Sequence, residues 1–399
     1  MIDFLADHID GLLGLSLPVL VLVTFVFVQI SMASTTLYLH RDQAHRSIDL
    51  HPLLRHFFRL WTWLTSGMNT REWVAVHRKH HAFCEQAEDP HSPVVYGLKK
   101  IVLEGAEAYR VESVKPETLE KYGRGCPDDW IERHVYRYGF VGIYTTLTID
   151  VLLFGALGIT VFAIQMLAMP VFAAGVINGF GHAIGYRNFE TDDAATNLTP
   201  IAVLIGGEEL HNNHHAFPTS ARFSMRPGEF DIGWFYIRML SAIGFCRVSR
   251  VAPQPHFAAT PRQVDVETLR AVLQNRMHVL RDYSRRVTLP VLEMERRARR
   301  GDVLLRSAAR LLARWPGKMD DAARERLNRI LASSPVLQTV HDYRRQLMAI
   351  WQQANVSNDR LVADLREWCH RAEASGIAVL EEFSARLRGY IPQPAMSAA

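Results

Sequence analysis

The sequence predicts an all-α protein in two parts. Residues 1–250 read as a membrane-embedded helical domain with a histidine-rich cap, and residues 251–399 as a basic, soluble helical domain. Three observations predict this. The long apolar runs and 14 of the 18 histidines fall in the first part. The charge changes sign between the parts, with 21 basic against 25 acidic residues before the boundary and 24 against 16 after it. No run after residue 250 is long enough to cross a bilayer. The whole-chain values, 48% hydrophobic residues and a formal charge of +4, conceal the division. This composition excludes a disordered, collagen-like or disulfide-stapled chain. The four cysteines (Cys84, Cys126, Cys246, Cys369) form no C-x-x-C pair. Their spacing argues against a zinc ribbon or an iron–sulfur centre and fits a reducing, cytoplasm-facing interior.

Met1 to Gly11 contains no Lys or Arg and no small-residue cleavage site, so it does not read as a signal peptide. The first span is expected near residues 12–39, an almost unbroken apolar run. At 1.5 Å per residue that run exceeds the ~30 Å hydrocarbon layer, so one end should project from the bilayer. Residues 50–67 differ, because His51, Arg55, His56 and Arg59 recur at helical spacing among Phe57, Trp61 and Trp63. That pattern predicts an interfacial amphipathic helix. Residues 140–160 and 161–186 abut just after Gly155 and Gly158 and predict a hairpin of two spans. Basic residues follow the first span (Arg41, Arg46), recur over Arg71–Lys79, and follow the hairpin (Arg187, Arg222, Arg226). The positive-inside rule then places the N-terminus outside. Leu39–Ser47, Arg71–Ser92 and Arg187–Ser224 all fall on the cytoplasmic face.

The histidines are in those three segments. They form the pair His40 and His45, the box His77, His80 and His81, and the box His211, His214 and His215. His182 stands alone, four residues after Asn178. Imidazoles at i, i+3 and i+4 share one helix face, so each box can turn toward one metal centre, and two facing boxes can enclose two ions. His40 and His45 lie about 140° apart on an ideal α-helix. That separation suits two different metals, or a helix end. Eight or nine ligands are too many for one ion and about right for two. A solvated basic patch does not explain the clusters, since neutral imidazole adds little charge at pH 7. Imidazole serves Zn, Cu, Fe and Ni alike, and H-E-x-x-H is absent. Spacing alone reaches a two-metal, nitrogen-rich site at a membrane surface, suited to oxygen activation on a lipid-soluble substrate.

The motifs resemble the integral-membrane fatty acyl desaturases, most closely the bacterial acyl-CoA (delta-9) type. The matching pieces are Leu39–Arg46, Glu72-Trp73 through His77–Phe83, Asp89-Pro90-His91, Asn178 through His182 to Arg187, and Glu208 through His211–Pro218. The resemblance covers roughly Leu12–Val248. It implies two irons held by His40, His45, His77, His80, His81, His182, His211, His214 and His215, with Asn178 bound through water. It implies dioxygen as co-substrate and insertion of a cis double bond, at carbon 9, into a saturated long-chain acyl-CoA. Asp42, Asp89 and Glu208 are candidates to orient imidazoles through their second nitrogen. Arg71, Arg78, Lys99 and Lys100 are candidates to meet the phosphates of the carrier. Two departures are visible: animal relatives have one more span, and the arginine their second box carries two residues upstream is here Ala75.

No haem, ferredoxin or dinucleotide motif is present in this sequence, so electrons are expected from a separate ferredoxin- or reductase-type protein. The implied location is the bacterial cytoplasmic membrane, multi-pass, with the active site facing the cytoplasm and lipid around the spans. After Pro253 the composition shifts to Arg, Ala, Leu and Glu with helical periodicity (Leu361, Leu365, Trp368). Its arginine run, Arg296 to Arg300, has no accompanying nucleic-acid motif. It reads as a basic surface beside anionic lipid or a docking face, and no nucleic-acid partner is expected. Three other readings stay open: a membrane di-iron hydroxylase, a desaturase of phospholipid-linked chains, and a metal transporter or sensor.

Overall fold

A computed structural model describes residues 11–306, 308–313, 319, 321–353 and 355–393. The chain forms two compact units. One runs up to Arg187 and resumes over Asp193–Ala252; the other joins Asn188–Asp192 to Pro253–Ala399. The expectation of an external N-terminus falls on residues 1–10, outside the described residues.

In the first unit, α1 (Leu17–Ala33) starts with proline in its first turn, where the missing N–H costs nothing. It runs directly into a wide-turn π-helix, Ser34–Ala44, that carries the first histidines. Leu17–Ala44 is long and apolar enough to cross a membrane, with mean hydropathy 2.2. Helix α2 (Pro52–Ser66) is two-faced: Leu53, Phe57 and Leu60 are exposed, while Phe58, Arg59, Thr62 and Trp63 are buried. Helix α3 (Thr70–Phe83) is started by Asn69, whose side-chain oxygen accepts from the amides of Arg71 and Glu72. Helix α4 (Leu98–Ser113) packs on a second π-helical segment, Met169–Gly179.

The stretch Gly139–His182 is also long and apolar enough to cross a membrane, with mean hydropathy 2.3. It is not one rod. Gln165 donates a 2.7 Å hydrogen bond to Asp150, although fifteen residues of straight helix would put them ~22 Å apart. The chain reverses between α5 (Gly139–Phe154) and α6 (Gly158–Ala168) through Gly155–Leu157. The reversal comes earlier than the 160/161 boundary expected from hydropathy. Gly155 supplies the left-handed φ of +61°, and a Cβ on Gly158 would strike the Asp150 carbonyl. Turn chemistry rather than apolarity sets the bend.

Beyond the helices, Ile48–Leu50 pairs antiparallel with Cys246–Val248, and Ile201–Ala202 pairs parallel with Phe230–Asp231. Leu37, Leu39, Leu50, Phe58 and Ile237 form a buried cluster beneath the histidines. The second unit has its own core, around Val272, Tyr283, Leu337, Leu347, Trp368 and Phe383. Its helices include Pro335–Gln352 and Asn358–Glu373, each opened by a serine cap (Ser334, Ser357). Part of its arginine run is structural: Arg296 donates to the carbonyls of Leu305 and Arg306.

Candidate metal centre and its cavity

All nine box histidines converge, in two sets. His40, His45, His77, His81 and His214 present ligand atoms within 4.8 Å of one another, as do His80, His182, His211 and His215. The local helices explain the sorting, and they correct the expectation that each box serves one centre. On α3, residues i and i+4 are ~40° apart while i+3 lies ~60° to the other side. So His77 and His81 join the five-histidine set and His80 turns to the four-histidine set. The short helix α7 (His211–Ala216) divides the opposite way, giving His214 to the first set and His211 and His215 to the second.

Of the two readings of the first pair, the helix end is the one found: His45 caps the segment that carries His40, and both belong to one set. The segment Ser34–Ala44 is a π-helix, and the His45 amide donates to the His40 carbonyl at 3.0 Å, an i→i+5 bond. That wider turn brings residues five apart onto one face. Single π turns inside α-helices are rare and collect at functional sites.

Carboxylates fix the rings. Glu208 accepts from His40 Nδ1 at 2.7 Å and Asp89 from His80 Nδ1 at 2.9 Å. Asp193 accepts from His215 Nδ1 at 2.9 Å and Glu85 lies 3.4 Å from His182 Nδ1. Asp42, expected among these, instead takes Arg55 through two bonds of 2.7 and 2.9 Å and the Leu50 amide. A guanidinium thirteen residues on claims it before any imidazole can. Glu85 and Asp193 were not foreseen. Nothing but proximity in the fold distinguishes them from neighbouring acids such as Glu88 and Asp192, although the φ of +62° at Glu85 marks a constrained turn.

Where Nδ1–H is donated to a carboxylate, as in His40, His80, His182 and His215, Nε2 carries a bare lone pair. His40 Nε2 faces His214 Nε2 at 3.1 Å, and His214 faces His81 Nε2 at 2.9 Å. His211 Nε2 faces both His182 and His215, at 3.0 and 3.1 Å. Burial, reinforced by neighbouring imidazoles, pushes the pKa values of His77, His81, His211 and His214 well below the usual histidine range. The rings are therefore neutral at pH 7. His214 and His211 each face two other Nε2 atoms, and one ring proton can serve at most one of them, so buried lone pairs are left over that a cation would satisfy; neutral imidazole is the form that binds metal. The donor sets fit two metal ions.

Arg41, next to His40, is fully buried. It grips Asp231 at 3.1 and 3.2 Å, reaches the Ala221 carbonyl, and lies 3.7 Å over the Phe223 ring. It ties the first box to the loops around the third. An apolar cavity of about 470 Å³ opens beside the histidines. Its lining includes His40, His77, His91, His211 and Asn178 together with apolar side chains such as Met32, Ile143, Met169 and Ile177. Its volume lies in the ~300–1,000 Å³ range of small-ligand sites. Neither ring nitrogen of buried His91 has a hydrogen-bond partner among the described residues.

Of the expected phosphate contacts, Arg78 is withdrawn. Its guanidinium is spent on four backbone carbonyls, those of Gln43, Ala44, Tyr122 and Arg124. No carboxylate among the described residues pairs with it, and it acts as a clip between loops. Arg71 is exposed and reaches the Leu119 carbonyl at 3.4 Å. Lys99 and Lys100 are exposed on the first turn of α4, the helix whose Tyr109 and Arg110 line the cavity.

Comparison with known proteins decides the lineage. Residues 15–227 match the fatty acid desaturase family. The chain belongs to that family. Delta-9 acyl-lipid desaturase 1 of Arabidopsis thaliana is 32% identical over 234 residues, covering 57% of this chain and 73% of its own. The sn-1 stearoyl-lipid 9-desaturase of Anabaena variabilis is 29% identical, covering 54% of this chain and 78% of its own. An acyl-CoA 5-desaturase of Anemone leveillei is 31% identical, covering 56% and 68%. Separately, residues 266–393 are similar to a family described as transposase. That likeness lies wholly within the second unit of the desaturase. The chain is thus an oxidoreductase of lipid metabolism, from a membrane-associated family, whose histidine clusters are compatible with iron.

Proposed function

We propose that this desaturase holds two irons and uses dioxygen to place a cis double bond at carbon 9 of a saturated long-chain acyl group, carried as acyl-CoA. One observation carries the reading: the nine box histidines divide five and four, with bare Nε2 atoms converging beside an apolar cavity. When bound, the irons supply the dioxygen activation by which two adjacent methylenes each lose a hydrogen. His40, His45, His77, His81 and His214 would hold one ion. His80, His182, His211 and His215 would hold the other, with Asn178 positioned to bind through water. Glu208, Asp89, Asp193 and Glu85 hold Nδ1–H of His40, His80, His215 and His182, so that Nε2 of these four points inward. The cavity excludes water and confines a flexible chain, which converts position along the chain into regioselectivity.

Carbon 9 is supported by the names of the Arabidopsis and Anabaena relatives. The acyl-CoA carrier is supported by Lys99 and Lys100, exposed on the first turn of α4, the helix whose Tyr109 and Arg110 line the cavity. A second reading, desaturation of lipid-bound chains, is favoured by those same relatives' acyl-lipid substrates. Electrons come from a separate ferredoxin- or reductase-type protein. The protein lies in the bacterial cytoplasmic membrane with its histidine face toward the cytoplasm.

The test is product analysis of purified protein given stearoyl-CoA or stearoyl-phospholipid, with an electron donor. A new carbon-9 double bond from the CoA ester supports the first reading; activity confined to phospholipid replaces it with the second. An added oxygen would make the enzyme a hydroxylase. Iron should stand near two per chain, and His80→Ala or His214→Ala should lower it and abolish turnover while the protein still inserts.

A further inference from the structure

His91 is a buried imidazole beside the metal centre that belongs to neither the five- nor the four-histidine set. It is 4% exposed, and neither of its ring nitrogens has a hydrogen-bond partner among the described residues. Its backbone is pinned on both sides. The His91 amide donates to Asp89 Oδ1 at 3.1 Å. The next residue, Ser92, caps a short helical turn, its hydroxyl accepting from the amides of Val94 and Val95. The His91 ring lies over that of His80, with centroids 4.5 Å apart and planes 26° apart. Asp89 holds the same His80 ring at Nδ1. Residues 89–91 therefore grip one box imidazole by its edge and by its face.

Stacking alone does not require an imidazole, since any flat ring would serve. An N–H sealed in the interior with nothing to receive it costs stability, and an imidazole carries at least one N–H in either tautomer. His91 lines the cavity together with His211 and Asn178. The methylenes of an acyl chain in that cavity cannot accept a hydrogen bond. The nitrogens of His91 are also not among the four-histidine donors that converge within 4.8 Å, so the ring stands beside that set rather than in it. What remains for it to meet is a small ligand with an acceptor atom, seated on the ion.

We infer that His91 is a positioning residue whose ring N–H hydrogen-bonds a small exogenous ligand on the ion of the four-histidine set. The inference deepens the proposed function and rests on its two-metal reading.

The test uses the full-length protein in detergent, stripped of metal, reloaded with Co²⁺ and titrated with azide while visible absorption is recorded. The parent should bind two equivalents of Co²⁺, and azide should change its spectrum. His91→Phe keeps the flat ring and removes both nitrogens. It should bind both equivalents as the parent does, while azide binds about tenfold more weakly, the lower range for loss of a hydrogen bond to a charged group. His91→Asn and His91→Gln place an amide N–H near the positions of Nδ1 and Nε2, and one of them should restore part of the azide affinity. Unchanged azide binding in His91→Phe would overturn the inference. Recovery by neither amide would reduce the ring to a packing element and sink it equally. Loss of a Co²⁺ equivalent in His91→Phe would make His91 a ligand instead, and a parent spectrum blind to azide would leave it nothing to hold. Both results reject the inference with the two-metal reading intact. A parent that binds no Co²⁺ would reject both.

Discussion

Two side chains near the centre show how burial decides chemistry. Arg41 is sealed among Asp231, Glu208 and the Phe223 ring. Removing it strands the Asp231 carboxylate in the interior, a loss of roughly 3–5 kcal/mol for a broken buried pair. Arg41→Ala should therefore lower the thermal midpoint sharply and reduce bound iron, and the double variant Arg41→Ala/Asp231→Ala should recover part of the stability. A midpoint equal to the parent's would refute the role. Glu72 behaves in the opposite sense. Burial, with the nearby Glu132 charge, pushes its pKa up to about 6. A raised acid pKa means the folded protein holds the proton more tightly than the unfolded chain does. Its contribution is then greatest below the ordinary carboxylate pKa and is lost as pH rises through about 6. Glu72→Gln should raise stability at pH 8 by on the order of 1–2 kcal/mol and change little at pH 4, measured as melting temperature against pH.

Among the elements, close backbone approach matters as much as apolarity. Helices α2 and α5 meet at Gly142, where a Cβ would lie 2.8 Å from Cδ2 of the Trp63 ring. Thr146 adds a 2.8 Å bond to the Leu64 carbonyl one turn further on. Gly142→Ala should cost ~1–3 kcal/mol, the usual range for overpacking, and a melting temperature matching the parent's would show that the helices can part freely. The π turn at Ser34–Ala44 is the other decisive element. It converts a five-residue spacing, awkward on an α-helix, into two imidazoles on one face.

The whole molecule exposes leucine, valine, isoleucine and phenylalanine along both apolar stretches, as at Leu22, Phe25, Ile159 and Leu167. Contiguous exposed apolar surface on helices of this length is what a bilayer covers. The histidine segments should then share one side. Reporters inserted after Ser47 and after Met225 should both read cytoplasmic in a bacterial host; opposite readings would mean that the hairpin does not cross twice.

Composition, hydropathy and histidine spacing determined the helical class, the apolar stretches and the histidine clusters, because each is a local property that survives in one dimension; that nine imidazoles converge is a property of the fold. Asp89 was legible for the same local reason, since it sits beside the box it serves; Glu208 sits beside the third box yet serves His40 of the first pair. Tertiary structure decided the rest. It divided each box between two sets, because the 100° step between successive helical residues sends His80 and His81 to different neighbours only once the facing helices are in place. It put His40 and His45 together through a π turn that no residue type encodes. It replaced Asp42 by Glu85 and Asp193 and took Arg78 for backbone carbonyls. Which acid meets which base in a buried site depends on contacts between residues far apart in the chain, and desolvation acts only on the groups that packing encloses.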